Sequence, residues 1–478
     1  MLIGGYFIYG AFVDRVMGTD PKRPMPAYTK RDDVDFHPMK PWRVFLIQFL
    51  NIAGLGPIFG AIMGIMFGPA AFLWIALGTI FAGGVHDFCS GVISIRMGGA
   101  SLPEIVGNEL GGGIRQLMRG FSVLLLILVA AVFVITPAGL LASMTPDSLN
   151  TGFWIVAIFG YYVLATLLPI DKLIGNLYPL FGFALLFMAA GIMAVLLFSD
   201  VTIPVSFTDG FESRSAASQP VFPMMFVSIA CGAISGFHAT QSPMMARCLQ
   251  NEKHARPVFY GAMVTEGIVA LIWAAAAIAF TGGYEGLQNY MGDGSPAILV
   301  NDISKTWLGT FGGILAILGV IAAPITSGDT ALRSARLIAA DFLNFNQKTV
   351  AKRLMISVPI FALCFAVMLM PYEVLWRYFA WCNQVLSVFT LWAITVYLAA
   401  NRKLYIVTLI PALFMTMVTV TYIVFAPEGF SSLAQSMTGS PIPYGVAIGA
   451  GALVSVVFLL LFARYLRGLD TETPMLAE

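Results

Sequence analysis

The stretch NIAGLGPIFG (residues 51–60) interrupts what would otherwise be an ordinary membrane-spanning segment. Between Val44 and Val85 the chain has no Asp, Glu, Lys, Arg or His, and this length suits two spans of about 20 residues each. Yet Gly54, Gly56 and Pro57 fall near the expected centre of the first span. Together they cost a helix interior roughly 5 kcal/mol relative to alanine, so the sequence predicts a break in this helix.

The composition indicates a membrane protein. Of the 478 residues, 58% are hydrophobic and 11% are charged, whereas soluble domains carry about 25% charged residues. We therefore expect a polytopic, all-α chain surrounded by lipid. The five cysteines lie in or beside apolar segments without a CxxC pair, which indicates small buried side chains rather than a disulfide frame or a metal site. No phosphate-binding loop and no basic, aromatic-rich face occurs in the sequence, so no nucleotide, nucleic acid or cofactor is expected.

Apolar segments bounded by charged residues predict thirteen membrane spans. Every one of the 26 Lys and Arg residues except Arg214, Lys305 and Arg377 then falls on loops of one side. A single miscounted span would destroy this asymmetry, so the positive-inside rule supports the count, with the N-terminus outside and the C-terminus in the cytoplasm. The approximate spans are 1–16, 42–67, 68–95, 120–145, 152–169, 173–199, 221–245, 258–281, 307–331, 354–371, 374–399, 404–426 and 443–463.

Ten of these spans form two sets of five, which indicates an inverted repeat. Because five is odd, the second set enters the membrane from the opposite side, and interrupted helices at matching positions point to the binding site of such a repeat. The predicted organisation is a first short span with a cytoplasmic loop (1–41), the first repeat (42–199), an external loop (200–220), the second repeat (221–399), and two further spans with a cytoplasmic tail (400–478).

Both interruptions fall at about half depth in the first helix of their set. The second one lies in SIACGAISGFHATQSP (228–243). Irregular backbone at membrane depth is tolerated where it is buried in protein or lines a cavity, and the freed helix ends can hold an anionic group and a cation. The alternative is that these glycines only let helices pack closely. We expect a midplane cavity for a small carboxylate-bearing nutrient, lined by Asn51, Gly54, Gly56, Gly232, Ser235, Gly236 and His238.

The polar run AAPITSGDTALRSARL (322–337) supplies candidates for ion coupling. Asp329 is its only carboxylate, and an acid inside a span is a functional hypothesis by default. This acid could bind a coupling proton, whereas the nearby hydroxyls and the carbonyls of the first break suit Na⁺, which prefers oxygen ligands. Alternatively, Asp329 pairs with Arg333, four residues on and on the same helix face. The ion-coupling candidates are therefore Asp329, Ser327, Thr330 and Thr326.

The stretch AGGVHDFCSG (82–91) places His86 and Asp87 near the cytoplasmic end of the third span. Neighbouring residues on a helix point about 100° apart, so these two are not expected to pair through adjacency alone. The interpretations are a proton relay and a gate at the inner mouth. Deep in the span 374–399, Asn383 and Gln384 either line the cavity or bind a neighbouring helix.

Five long motifs resemble the carbon starvation protein A family. They are QFLNIAGLGPIFGAIMG (48–64), GPAAFLWIALGTIFAGGVHDF (68–88), SIRMGGASLPEIV (94–106), IACGAISGFHATQSPMMARC (229–248) and ITSGDTALRSARLIAADF (325–342). The resemblance implies an uptake carrier of the bacterial inner membrane for peptides, or for pyruvate with protons, that serves carbon-starved cells. It also implies the five-plus-five inverted repeat of the amino acid–polyamine–organocation transporters.

An ion-coupled importer is the function that we expect, with H⁺ favoured by the resemblance and Na⁺ as the alternative ion. The competing functions are an intramembrane enzyme and a nutrient sensor that use His86, Asp87 or Asp329. An enzyme would need a second acid, a nucleophile or a metal-ligand set at one depth, and neither an HExxH motif nor a paired intramembrane acid is evident in the sequence. A sensor would need a soluble signalling domain. We therefore predict that the protein is not an enzyme.

Overall fold

Helices form nearly all of the regular structure. The computed structural model describes the chain except residues 33–34, 168–169, 206–211, 216–218, 294–295, 346, 348 and 472–478, and it describes the side chains of helical residues except 166–167, 170–179, 293, 316–317, 373 and 470–471. Within the described part of the chain, β-pairing is limited to an isolated bridge between Met39 and Leu249. The predicted all-α class is confirmed.

The first half of the chain contains the first predicted repeat. Pro41 occupies the first turn of its helix, where a missing N–H costs nothing, and Gly111 adopts a φ of 101° at the turn between two helices. The helices are α1 (2–17), α2 (Pro41–Ala53), α3 (Gly56–Ile65), α4 (Ala70–Arg96), α5 (Leu102–Leu110), α6 (Gly112–Met144), α7 (Thr151–Leu167) and α8 (Ile170–Phe198).

The second half contains the second predicted repeat and the C-terminal helices. The helices are α9 (Val221–Ser228), α10 (Gly236–Ala246), α11 (Glu252–Phe280), α12 (Tyr284–Asp293), α13 (Pro296–Leu315), α14 (Leu318–Phe342), α15 (Val350–Met368), α16 (Tyr372–Ala400), α17 (Ile406–Phe425), α18 (Phe430–Thr438) and α19 (Tyr444–Thr471). Both predicted interruptions are present, because α2 ends just before Gly54 and the chain is non-helical between α9 and α10.

Eight of the described helices are long and apolar enough to cross a membrane, or ten when each of two bent pairs counts as one span. The chain is therefore a multi-pass membrane protein. The bent pairs are α2 with α3, at 50°, and α13 with α14, at 58°. The other three predicted spans correspond to α1, α7 and the interrupted pair α9 and α10, which are each shorter than a membrane-length helix. The total of thirteen spans stays a prediction.

Helix contacts in the two halves correspond to each other. In the first half, the α2 helix contacts α8 and α6 contacts α7, and in the second half α10 contacts α16 and α14 contacts α15. The contacts across the halves also come in equivalent pairs. The contact of α4 with α10 corresponds to that of α11 with α2, and the contact of α6 with α16 corresponds to that of α14 with α8. This exchange of partners is expected of two repeats related by a twofold axis. The α6 helix of one half and the α14 helix of the other pack against each other beside the first break.

Candidate functional site

The first break is buried in protein and is supported by α14. At Gly54 the backbone adopts φ 12° and ψ −127°, which ends α2. The hydroxyl of Ser327 on α14 donates a hydrogen bond to the carbonyl oxygen of Leu50, at 3.2 Å. That carbonyl belongs to the last turn of α2, whose C=O groups lack partners within the helix. Ser327 therefore lies next to the first break, and its role in ion coupling stays a prediction.

Asn51 is the polar residue closest to this break on α2. Its side chain is fully buried, and neither its amide nitrogen nor its amide oxygen has a hydrogen-bond partner among the described residues. An unsatisfied buried polar group costs about 1–3 kcal/mol. Asn51 thus offers both a donor and an acceptor at the position where the sequence predicts substrate contact.

At the second break, one side chain of α16 binds backbone groups on both sides. The Oδ1 atom of Asn383 accepts hydrogen bonds from the backbone N–H of Phe237, at 2.7 Å, and from the hydroxyl of Ser235, at 3.0 Å. Its Nδ2 atom donates to the carbonyl of Ala230, at 3.1 Å. Asn383 therefore binds a neighbouring helix, as one of the two sequence interpretations proposed, and it satisfies backbone groups on both sides of the break.

The glycines of the two breaks face protein atoms. A Cβ atom placed on Gly56 would lie 2.1 Å from Cβ of Cys231, so the two breaks pack directly against each other. A Cβ atom on Gly232 would lie 2.8 Å from the Cβ atom of Ala270, and one on Gly236 would lie 2.4 Å from the carbonyl oxygen of Asn383. In this structure the glycines therefore serve close helix packing, the alternative raised from sequence, and a substrate role for them stays a prediction.

Four buried ionisable side chains form a chain from α4 through α10 to α11. Nδ1 of His86 lies 2.7 Å from Oδ1 of Asp87, and Oδ2 of Asp87 lies 2.9 Å from Nδ1 of His238. On its other side, Nε2 of His238 lies 3.4 Å from Oε2 of Glu266. All four side chains are fully buried. We call this set the buried His–Asp–His–Glu chain.

The contacts within the buried His–Asp–His–Glu chain restrict where its protons can lie. A carboxylate only accepts hydrogen bonds, and a neutral imidazole donates from one nitrogen and accepts at the other. If both Nδ1 atoms donate to Asp87, then Nε2 of His238 faces Glu266 as an acceptor. Attraction across that contact requires a proton on either His238 or Glu266. The arrangement can therefore accept one proton and pass it between an imidazole and a carboxyl group.

Three sequence-based expectations about this region need correction. His86 and Asp87 do contact each other, with Nδ1 and Oδ1 2.7 Å apart. They also lie away from the inner end of the span, since ten residues separate His86 from Arg96 at the end of α4, or about 15 Å of helix. Finally, a second intramembrane acid is present. Glu266 was missed, although it is the one charged residue in the apolar run 258–281.

The predicted ion-coupling residues lie together on α14 but make different contacts. The hydroxyls of Thr326 and Thr330 donate to carbonyls of their own helix, at 2.7 and 2.9 Å. Oδ1 of Asp329 lies 3.9 Å from Nη2 of Arg333, so the local ion pair considered from sequence is present. The same nitrogen of Arg333 donates to the carbonyl of Ala165, at 2.9 Å. Among the described residues, no group of three or more His, Cys, Asp and Glu side chains has metal-binding geometry.

Comparison with known proteins gives a family match. A family model described as carbon starvation protein CstA matches residues 1–150 and 143–292. A membrane protein of Haemophilus influenzae, described as uncharacterised, is 41% identical over 345 residues, which cover 62% of this chain and 92% of that protein. The peptide transporter CstA of Campylobacter jejuni is 30% identical over 56% of this chain and 47% of its own length.

A further relative and two solved structures complete the comparison. The pyruvate/proton symporter BtsT of Escherichia coli is 27% identical over 57% of this chain and 47% of its own length. This chain thus spans about half the length of the relatives named as transporters. The fold resembles a manganese transporter of Eremococcus coleocola, with a TM-score of 0.55 and 13% identity over 94% of this chain and 98% of that one. It also resembles Mhp1 in an inward-facing conformation, with a TM-score of 0.52 and 15% identity over 88% and 91% of the two chains.

Proposed function

Because this chain belongs to the carbon starvation protein CstA family, we propose that it is a proton-coupled secondary transporter that imports a small carboxylate-bearing nutrient across the bacterial inner membrane. The observation that carries this proposal is the buried His–Asp–His–Glu chain. Its central carboxylate, Asp87, receives one contact from its own helix and one from α10, which begins at the second break. A proton bound here would therefore bias the position of the helix that forms one side of the substrate region.

Coupling requires that the proton and the substrate stabilise the same conformation. Such coupling free energies are typically about 1–3 kcal/mol, a size that one buried hydrogen bond to a charged group can supply. Protonation of His238 or Glu266 strengthens the contact between α10 and α11. Substrate bound at the second break would act on the same end of α10. Each ligand thereby favours the arrangement that the other needs.

The substrate is proposed to bind beside the two packed breaks. Asn51 contributes an unused donor and acceptor, and the N-terminus of α10 contributes backbone N–H groups and the positive end of a helix dipole. These groups suit a carboxylate, which peptides and pyruvate share. The relatives named as a peptide transporter and as a pyruvate/proton symporter support this substrate class.

A second coupling site remains as the competing proposal. Ser327 beside the first break could hold Na⁺ together with the Leu50 carbonyl, and Asp329 could bind a proton instead. We rank the buried His–Asp–His–Glu chain first because it links α4, α10 and α11 through groups that can carry a proton, and α10 begins at the second break. Asp329 pairs with Arg333, and an arginine does not titrate in proteins. Transporter relatives and transporter-like folds favour transport over an intramembrane enzyme or a sensor.

Reconstituted transport tests the proposal. The purified full-length chain is placed in proteoliposomes, and uptake of labelled pyruvate and of a labelled dipeptide is measured under an imposed proton gradient, an imposed sodium gradient, or neither. We expect one of the two substrates to accumulate above its equilibrium level only with the proton gradient. Accumulation that requires the sodium gradient would favour the Ser327 site as the coupling site. Absence of uptake of both substrates under every gradient would contradict the proposed function.

A further inference from the structure

A cavity of about 390 Å³ lies close to the second break. Its lining includes the end of α3, α9, the first turns of α16, the segment that follows α17, and one residue of α12. Ser228, the last residue of α9, is part of it. The cavity lies at the N-terminal end of α16, whereas the loop 401–405 with its Lys and Arg residues follows the C-terminal end of that helix. On the predicted topology this loop is cytoplasmic, so the cavity faces outside. We call it the outer pocket.

The outer pocket contains groups that recognise a carboxylate. The Arg377 side chain lines it and is 40% exposed, with its Nε atom 3.4 Å from Oε2 of the nearly buried Glu428. Trp376, the preceding residue, also lines the pocket but is only 3% exposed. The indole N–H of Trp376 has no hydrogen-bond partner within the described residues. Since a buried unsatisfied donor costs about 1–3 kcal/mol, an acceptor brought by a ligand would be favoured here.

The rest of the lining is apolar and adaptable. Four methionines contribute to it, and methionine fills irregular spaces because it is unbranched and polarisable. The volume falls in the range of about 300–1,000 Å³ that is typical of ligand pockets, and it is much larger than a molecule the size of pyruvate requires. The methionines are Met63, Met66, Met224 and Met291.

We infer that the outer pocket is a second substrate site, which takes a carboxylate attached to a bulky apolar body, such as a short peptide with apolar side chains. Arg377 and the indole N–H of Trp376 hold the carboxylate, the methionines hold the side chains, and Glu428 is placed to receive a nearby ammonium group. The ligand waits here before it moves past Ser228 to the break. This inference rests on the proposed transport function but not on the identity of the coupling ion.

Thiol protection tests the inference without any gradient. All five native cysteines are buried, so Met66→Cys introduces a reactive thiol in the pocket of the full-length protein in lipid nanodiscs. Met437→Cys is the matched control, because Met437 is exposed and lies outside the pocket lining. With leucyl-leucine at ten times its dissociation constant, we expect a hydrophilic maleimide to modify Met66→Cys about tenfold more slowly. Modification of Met437→Cys should not change.

Ligand analogues and a second substitution test the chemistry. Leucyl-leucinamide lacks the carboxylate and should not protect, and neither should pyruvate at the same concentration. Adding Arg377→Gln should abolish protection by leucyl-leucine, whereas Arg377→Lys, which keeps a cation, should retain part of it. Equal protection by the amide, equal protection by pyruvate, or protection that survives Arg377→Gln would overturn the inference, as would absence of protection in Met66→Cys alone. Adding Asp87→Asn should leave protection intact, so a failure of proton coupling is distinguishable from a failure of this site.

Discussion

Nδ1 of His238 lies 2.9 Å from Oδ2 of Asp87, although the two residues are 151 positions apart in the chain. The contact joins α4 to the first turn of α10, where the chain resumes a helix after the second break. It places a titratable imidazole between two carboxyl groups in the middle of an apolar bundle. Buried ionisable groups are expensive in a membrane, and their convergence beside a discontinuous helix is the basis of the proposed coupling role.

Asp87→Asn tests the proposed coupling site. The amide has the shape of the carboxylate but cannot balance a protonated imidazole, so the affinity for the proton should fall. We expect proton-driven accumulation to be lost while substrate exchange between the two sides continues, as measured by counterflow in proteoliposomes. Glu285→Gln, an acid-to-amide change at an exposed position, is the control. Accumulation at the normal level in Asp87→Asn would exclude Asp87 as the coupling group.

Asp329→Asn tests whether Asp329, rather than the buried His–Asp–His–Glu chain, binds the coupling proton. The change removes the carboxylate from the nearly buried guanidinium of Arg333, and an unbalanced buried charge can cost about 3–5 kcal/mol. We expect a lower melting temperature in Asp329→Asn and partial recovery in the double variant Asp329→Asn/Arg333→Gln. Proton-driven uptake should keep its pH dependence in the double variant. If a stable double variant loses that dependence, Asp329 carries the coupling proton.

Ser327→Ala tests the sodium alternative. It removes the hydroxyl that contacts the Leu50 carbonyl at the first break. Under proton coupling we expect a mild effect, limited to about the 0.5–1.5 kcal/mol of one hydrogen bond, and no change in substrate affinity when external Na⁺ replaces K⁺. Binding measured by isothermal calorimetry in both salts checks this. A sharp gain in wild-type affinity with Na⁺ that vanishes in Ser327→Ala would reverse the ranking of the two sites.

Gly56→Ala tests the contact between the two breaks. Its new Cβ atom would lie 2.1 Å from Cβ of Cys231, and overpacking of this kind typically costs about 1–3 kcal/mol. We expect a clear fall in melting temperature, measured by fluorescence in detergent, and recovery in the double variant Gly56→Ala/Cys231→Gly. Gly4→Ala is the control because its Cβ atom meets nothing within 4 Å. Equal stability of Gly56→Ala and wild type would mean that the breaks separate readily.

Glu252→Gln tests how the N-terminal segment is held. The fully buried carboxylate of Glu252 accepts a hydrogen bond from the backbone N–H of Asp20, at 2.7 Å. It also accepts hydrogen bonds from Nε of Arg23 and Nε of Arg96, each at 3.0 Å. Loss of its charge should free the segment that follows α1. We expect trypsin to cleave between residues 20 and 32 about tenfold faster, which corresponds to a loss of about 1.4 kcal/mol in local opening free energy.

A partly exposed acid provides the matched control for that experiment. Glu104 also pairs with two arginines, Arg115 and Arg119, but its side chain is 31% exposed. Solvent screens such a pair, so its contribution is only about 0–1 kcal/mol. Glu104→Gln should therefore leave the cleavage rate unchanged. Equal cleavage rates in Glu252→Gln and the wild type would show that backbone contacts alone hold the segment.

Much of the architecture could be predicted from the sequence because the bilayer restricts which structures can span it. Backbone polar groups in hydrocarbon must be satisfied within helices, so long apolar runs predicted the helices. The energetic cost of Gly54, Gly56 and Pro57 predicted the first break. Local spacing was equally sufficient for the ion pair of Asp329 and Arg333, because residues four apart share a helix face.

Which residues contact each other at the candidate site could not be predicted from the sequence. Glu266 carries a sequence signal, as a lone acid in an apolar span, but nothing local shows that it faces His238. Likewise, the glycines at the breaks suggested an open cavity, whereas the fold packs Gly56 against Cys231. The direction in which a side chain points across a bundle depends on how each helix is rotated, and periodicity does not specify that rotation among helices that are apolar on every face.

The sequence by itself determined the membrane location, the helical class, the family and the positions of the two breaks, because hydrophobic length and helix propensity act locally along the chain. Only the tertiary structure decided that Asp87 receives an imidazole from each of two helices and that Asn383 holds both sides of the second break. The contact of Asp87 with His238 and the contacts of Asn383 with the second break join residues more than a hundred positions apart, and their geometry depends on close packing between helices. A helix translated by one turn, about 5.4 Å, would preserve every sequence pattern and yet remove the site.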